Sequence, residues 1–111
     1  MGKFTKGEVV VFPFPFSNLA ESKPRPCLVV SNLTGDDMIL CMITKNPYAD
    51  PDVITLEGKD FESGNLPIDP SYIRPSRLFT GEDKLVMLSS GRINAPKLTE
   101  VVEKVTEIVH R

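Results

Sequence analysis

Apolar residues in this chain come in short runs separated by proline, glycine and polar clusters, and only the tail changes rhythm. Residues 8–14, rich in valine and phenylalanine, read as a first strand, with Pro13 and Pro15 pushing its far end toward an edge or a bulge. A polar loop is expected over residues 17–23. Residues 26–31 and 38–44 are near-continuous apolar runs of strand length, joined through the turn residues 34–37. Such runs suit strands buried on both faces, in the middle of a curled sheet or small barrel. Residues 52–57 read as a further strand and 59–70 as a loop. Short strands at 72–74 and 77–79 are separated by Pro75, and a last one is expected at 85–89.

From Pro96 onward, Leu98, Val101, Val102, Val105, Ile108 and Val109 recur at helical spacing, while Glu100, Glu103, Lys104 and Glu107 take the other side. Asn94 suits the N-cap and Pro96 the first turn. A helix of this length is marginal alone, so its valines are expected to pack on the sheet. The fold class predicted is mainly β with one C-terminal helix, in one domain over residues 1–111, as suits a chain of 111 residues.

Composition adds an ordinary soluble profile, 41% hydrophobic and 25% charged. No apolar run reaches the ~20 residues of a membrane span, and the first residues lack the apolar core of a signal peptide, so a cytoplasmic protein is expected. Cys27 and Cys41 lie inside apolar runs without metal-binding spacing and read as reduced, buried thiols. The net charge of -2 is unevenly spread. Residues 36–69 hold eight acids against Lys45 and Lys59, whereas residues 74–97 hold Arg74, Arg77, Lys84, Arg92 and Lys97 against Glu82 and Asp83. A local basic face on an acidic molecule is therefore possible.

The inventory removes several chemistries. His110, the single histidine, is the penultimate residue, so neither a histidine pair nor a Ser-His-Asp triad can form within one chain. Its expected role is a favourable charge near a helix C-terminus. Two cysteines and one terminal histidine do not make a spaced set of zinc ligands, phosphate-cradling glycine motifs are absent from the sequence, no cofactor is implied, and Asp50 and Asp52 read as a solvated loop rather than a cation site. Arginine, hydroxyl and carboxylate chemistry remains, which suits RNA, whose 2'-hydroxyl is a built-in nucleophile needing only positioning and charge stabilisation. Arg25, between Pro24 and Pro26 and directly before an apolar run, draws attention because the flanking prolines restrict its backbone.

The stretch KGEVVVFPFPFSNLAESKPRPCLVVSN, then ILCMITKN, SYIRPSRLFT and GRINAPKLTEVVEKV, resembles the MazF/PemK family of toxin endoribonucleases over nearly the whole chain. The resemblance implies a small SH3-like β-barrel ending in a helix, a homodimer, a cognate antitoxin partner, and metal-independent, sequence-specific cleavage of single-stranded RNA. The products would be a 2',3'-cyclic phosphate and a 5'-hydroxyl. It also implies catalytic roles for Arg25 in the RP motif and Thr44 at the end of the third strand. Glu21 lies near a loop glutamate of some members and is the candidate base, because arginine does not readily accept a proton.

Candidate RNA-binding residues are Phe16, Ser17, Asn18, Lys23, Lys45, Asn46, Arg74 and Arg77. Arg74 matches an arginine of some members, but Ser76 stands where certain members carry an acid. Loops 17–23 and 45–52 are expected to set the cleavage motif. Two other readings remain: a non-catalytic member that inhibits a protein such as DNA gyrase, and an adaptor barrel that takes a peptide in a proline-lined groove. The pairing of Arg25 with Thr44 separates the first reading from these, since neither alternative needs it.

Overall fold

The computed structural model describes residues 3–15 and 22–111. Its strands are β1 (Glu8–Pro15), β2 (Ser22–Asn32), β3 (Asp37–Thr44), β4 (Ile54–Leu56), β5 (Phe61–Gly64), β6 (Ser71–Glu82) and β7 (Leu88–Ile93), followed by helix α1 (Ala95–Val109). They form one antiparallel sheet in the order β4-β6-β3-β2-β1-β7-β5. Register shifts between Val9 and Val10, Val29 and Ser31, Cys41 and Ile43, and Phe61 and Ser63 each bend a strand, and together they curl the sheet.

Curling gives the sheet two apolar faces. One gathers Val9, Leu28, Cys41, Ile43, Ile54, Leu56, Ile73 and Ile93 around Val101 of α1, with Leu98 and Val105 packed alongside. The other gathers Val10, Phe12, Cys27, Val29, Met38 and Leu40, with Phe79 tilted against Phe12 at 5.6 Å between ring centroids. Gly81 is what admits Phe12, since a Cβ there would come within 2.6 Å of the ring. The helix expectation holds: Asn94 caps it by accepting from the Lys97 amide at 3.0 Å, and Pro96 lies in its first turn. Val109 departs from the stripe and is exposed.

Four expectations need correction. β2 begins at Ser22, so Arg25 lies within a strand rather than at a loop exit. Pro75 does not divide two strands. β6 runs through it as a single element, and the proline falls in the stretch between Ile73 and Leu78 where pairing with β3 shifts register. Residues 59–70 are not all loop, because Phe61–Gly64 forms an edge strand on β7. Its one close approach is Gly64 opposite Gly91, both at positive φ, where a Cβ on either would meet the other strand's backbone. Finally, the last strand starts at Leu88, after a 3-10 turn at Asp83–Leu85.

Candidate functional site

The prolines decide where the sheet opens. β1 pairs with β7 only over Glu8 to Val11, and β2 pairs with β3 only from Cys27 onward. Pro13, Pro24 and Pro26 therefore sit where their strands keep a single neighbour, the place where a missing backbone donor costs least. Beyond those ladder ends lies a cleft of about 260 Å³, lined by Val11, Pro26, Met42 and Ile43 from the strands and by Leu66, Pro67 and Ile68 from the segment before β6. Arg25 and Thr44, the residues just past the end of the β2–β3 ladder, both line it.

The polar lining is cationic and neutral. Arg25 and Lys45 are joined by Thr44, Asn46, Tyr48, Ser71 and Ser90, with no carboxylate among the described lining residues. The Thr44 hydroxyl oxygen accepts from the Asn46 backbone N–H at 3.3 Å, which leaves its own proton available to a ligand. Ser71 instead donates to the Ile68 carbonyl at 2.6 Å, fixing the segment that walls the cleft.

Arg74 is placed differently. Its Nε donates to Asp50 at 3.0 Å, with the two side chains 19% and 6% exposed, and its guanidinium lies 4.9 Å from the Tyr48 ring centroid. It is not among the residues lining the cleft. Asp50 and Asp52 are consequently not a solvated loop: Asp52 takes both terminal nitrogens of Arg111 at 2.7 and 3.0 Å. That fork holds the Asp52 carboxyl below the usual carboxylate range, and it raises the Arg111 guanidinium further above its own.

The expected basic face is largely neutralised as well. Lys84 meets Glu82, Arg92 approaches Glu62, and Lys97 bridges Asp60 and Glu100. Arg77 is exposed on β6 and outside the cleft lining, and Lys23 is exposed near the start of β2. Phe16, Ser17, Asn18 and Glu21 lie outside the described residues.

Burial pushes both thiols up to about 12, so Cys27 and Cys41 stay protonated, and Cys41 donates to the Arg74 carbonyl at 3.0 Å inside the β6 irregularity. Among the described residues no three carboxylate, histidine or cysteine groups converge as metal ligands. No helix among them is long and apolar enough to cross a membrane. Among the polar lining residues, Tyr48, within the loop 45–52 expected to set the cleavage motif, was not singled out from the sequence, nor were Ser71 and Ser90. The available signal for Tyr48 was a lone aromatic within Lys-Asn-Pro-Tyr-Ala-Asp-Pro, a run with no other large apolar side chain to bury it.

Residues 5–109 match the family model described as "PemK-like, MazF-like toxin of type II toxin-antitoxin system". No curated protein matches the sequence. Among solved structures, the chain is similar to an endoribonuclease in complex with its cognate antitoxin from a mycobacterial species, at a TM-score of 0.75 and 14% identity, covering 96% of this chain and 95% of that one. It is also similar to MazE-MazF from Deinococcus radiodurans, at a TM-score of 0.74 and 20% identity with 96% of each chain covered. MazF alone from that organism gives a TM-score of 0.74 at 19% identity, with 97% of each chain covered. At these identities the structural likeness speaks for the fold, and the family model for the lineage.

Proposed function

The chain belongs to the PemK-like, MazF-like toxin family of type II toxin-antitoxin systems, and we propose that it is an endoribonuclease cutting single-stranded RNA at a specific short sequence without a metal ion. The observation that carries this reading is the meeting of Arg25, Thr44 and Lys45 in one cleft opened by the prolines of β1 and β2. A phosphodiester entering there meets forked donors from Arg25 and a hydroxyl from Thr44, with Lys45 adding charge.

In the proposed reaction the 2'-oxygen attacks the adjacent phosphorus in line, the bond to the 5'-oxygen breaks, and a 2',3'-cyclic phosphate and a 5'-hydroxyl result. Arg25 neutralises the non-bridging oxygens as negative charge grows on them. Thr44, already accepting from Asn46, donates a hydrogen bond to the same phosphate, and the departing 5'-oxygen takes its proton from water. Glu21 is the proposed acceptor of the 2'-hydroxyl proton, and the Lys45 to Asn46 side of the cleft is proposed to contact the RNA. Arg77 and Lys23 are proposed as further phosphate contacts, with Phe16, Ser17 and Asn18 as base contacts. Arg74, held by Asp50, acts in this scheme by positioning.

The working protein is proposed to be a single-domain cytoplasmic homodimer, restrained by an acidic antitoxin that competes with RNA for the cleft. The mycobacterial endoribonuclease and the Deinococcus MazF are each seen with an antitoxin. The test is cleavage of a long mixed-sequence RNA in EDTA, with product ends mapped. Wild type should cut at one recurring motif, and Arg25→Ala should lose about 10²-fold or more in rate while melting normally. Cutting by Arg25→Ala at the wild-type rate, or an absolute need for divalent cation, would sink the mechanism.

A further inference from the structure

Tyr48 occupies a position that folding alone does not explain. It is a large aromatic 62% exposed, yet its backbone sits at φ 55, the left-handed region that a bulky residue adopts at a cost. The loop bearing it is fastened on both sides. Thr44 receives the Asn46 amide before it, and after it Arg74 holds Asp50 while Arg111 holds Asp52. Asp50 also accepts from the Asp52 amide at 2.9 Å, closing the turn on itself. An uncovered tyrosine could relax to an ordinary conformation at the surface, whereas here two ion pairs lock the loop that presents it.

The guanidinium of Arg74 lies against the ring at 4.9 Å, and the ring lines the same cleft as Arg25 and Lys45. Leu66, Pro67 and Ile68 supply apolar surface to that lining. A flat, immobilised aromatic beside two cations and apolar walls matches a nucleotide, whose phosphate needs the charge and whose base needs the flat surface. Because Arg74 and the fastened loop already order the ring, stacking on it loses little entropy.

We infer that Tyr48 is a nucleobase-stacking platform, held in place by Arg74 and Asp50, on which one unpaired base of the bound RNA rests while its phosphate meets Arg25. This rests on the proposed RNA-cleaving function and adds a base subsite on the side of the cleft formed by residues 45–50. A proline-rich peptide also stacks on tyrosine, but the cationic lining without described carboxylates favours the polyanion.

The experiment measures binding of a short mixed-sequence single-stranded RNA carrying 2'-O-methyl sugars, which cannot be cleaved, to wild type, Tyr48→Leu, Tyr48→Phe and Arg25→Ala over a range of salt. Tyr48→Leu should weaken binding by about 5- to 150-fold with an unchanged salt slope, and Tyr48→Phe should bind nearly as wild type. Tyr48→Leu binding as wild type while Arg25→Ala is weakened overturns the platform and leaves the RNA reading standing. Tyr48→Phe as weak as Tyr48→Leu also overturns it, since the ring would not be the working part. Wild type failing to bind RNA overturns both, the more so if a polyproline peptide binds and Tyr48→Leu abolishes that binding.

Discussion

The cleft and the flank beneath α1 differ in the groups that the described residues place around their cations. Under the helix, cations meet carboxylates: Lys97 reaches Asp60 and Glu100, Lys104 reaches Glu107, and Arg111 takes Asp52 in a fork. At the cleft, Arg25 and Lys45 stand among hydroxyls, an amide and apolar side chains, with no carboxylate among the described lining residues. Arg74 belongs to the first group although its ring partner Tyr48 belongs to the second. Counting bases along the chain therefore does not locate a polyanion site. What matters is which acids the fold brings to each base, and here the acidic stretch 36–69 neutralises much of the basic stretch after it.

That contrast can be broken at its strongest point first. Arg74→Met strands Asp50, whose side chain is 6% exposed, and should cost roughly 3 kcal/mol in urea unfolding, whereas Lys45→Met, at an exposed position of the cleft lining, should leave the midpoint nearly unchanged. Equal stability losses at Arg74 and Lys45 would erase the distinction. A smaller effect is expected at Asp52, whose carboxyl is held below its usual range by Arg111. Its contribution is present above the unfolded value near ~4 and is lost as pH falls through the lower folded value. Asp52→Asn should therefore melt below wild type at pH 7, and the gap should close in strongly acidic buffer. A gap independent of pH would assign the loss to packing instead. Smallest is Lys45→Ala, predicted to leave stability within ~0.5 kcal/mol while flattening the salt dependence of RNA binding by about 0.7 in logarithmic slope. An unaltered slope would remove Lys45 from the phosphate contacts.

Much of the scaffold was legible because its signals are local. The tail carried its own stripe, cap and proline, and the apolar runs at 26–31 and 38–44 became the central strands β2 and β3. The misread parts depend on partners far away in sequence. Pro75 looks like a strand breaker until β3 is laid beside it with its shifted register. The segment 61–64 lacks a buried face, so nothing in its own pattern announces the pairing with β7. At the cleft, the Pro-Arg-Pro run pointed to Arg25, but the proline effect became clear only from the ladder ends they mark. Arg74 carried the same kind of local signal, and only the fold shows Asp50, placed well before it in the chain, holding it.

The two buried thiols also serve as clocks. Cys27 and Cys41 lie on the central strands β2 and β3, and burial keeps both from ionising at neutral pH. An alkylating reagent reacts with thiolate, so in the native protein its rate is gated by how often the middle of the sheet opens. Mass added per hour at these two positions therefore times the opening of the middle of the sheet, and Cys27, paired with Met42 of the cleft lining, reads that opening at the cleft's edge.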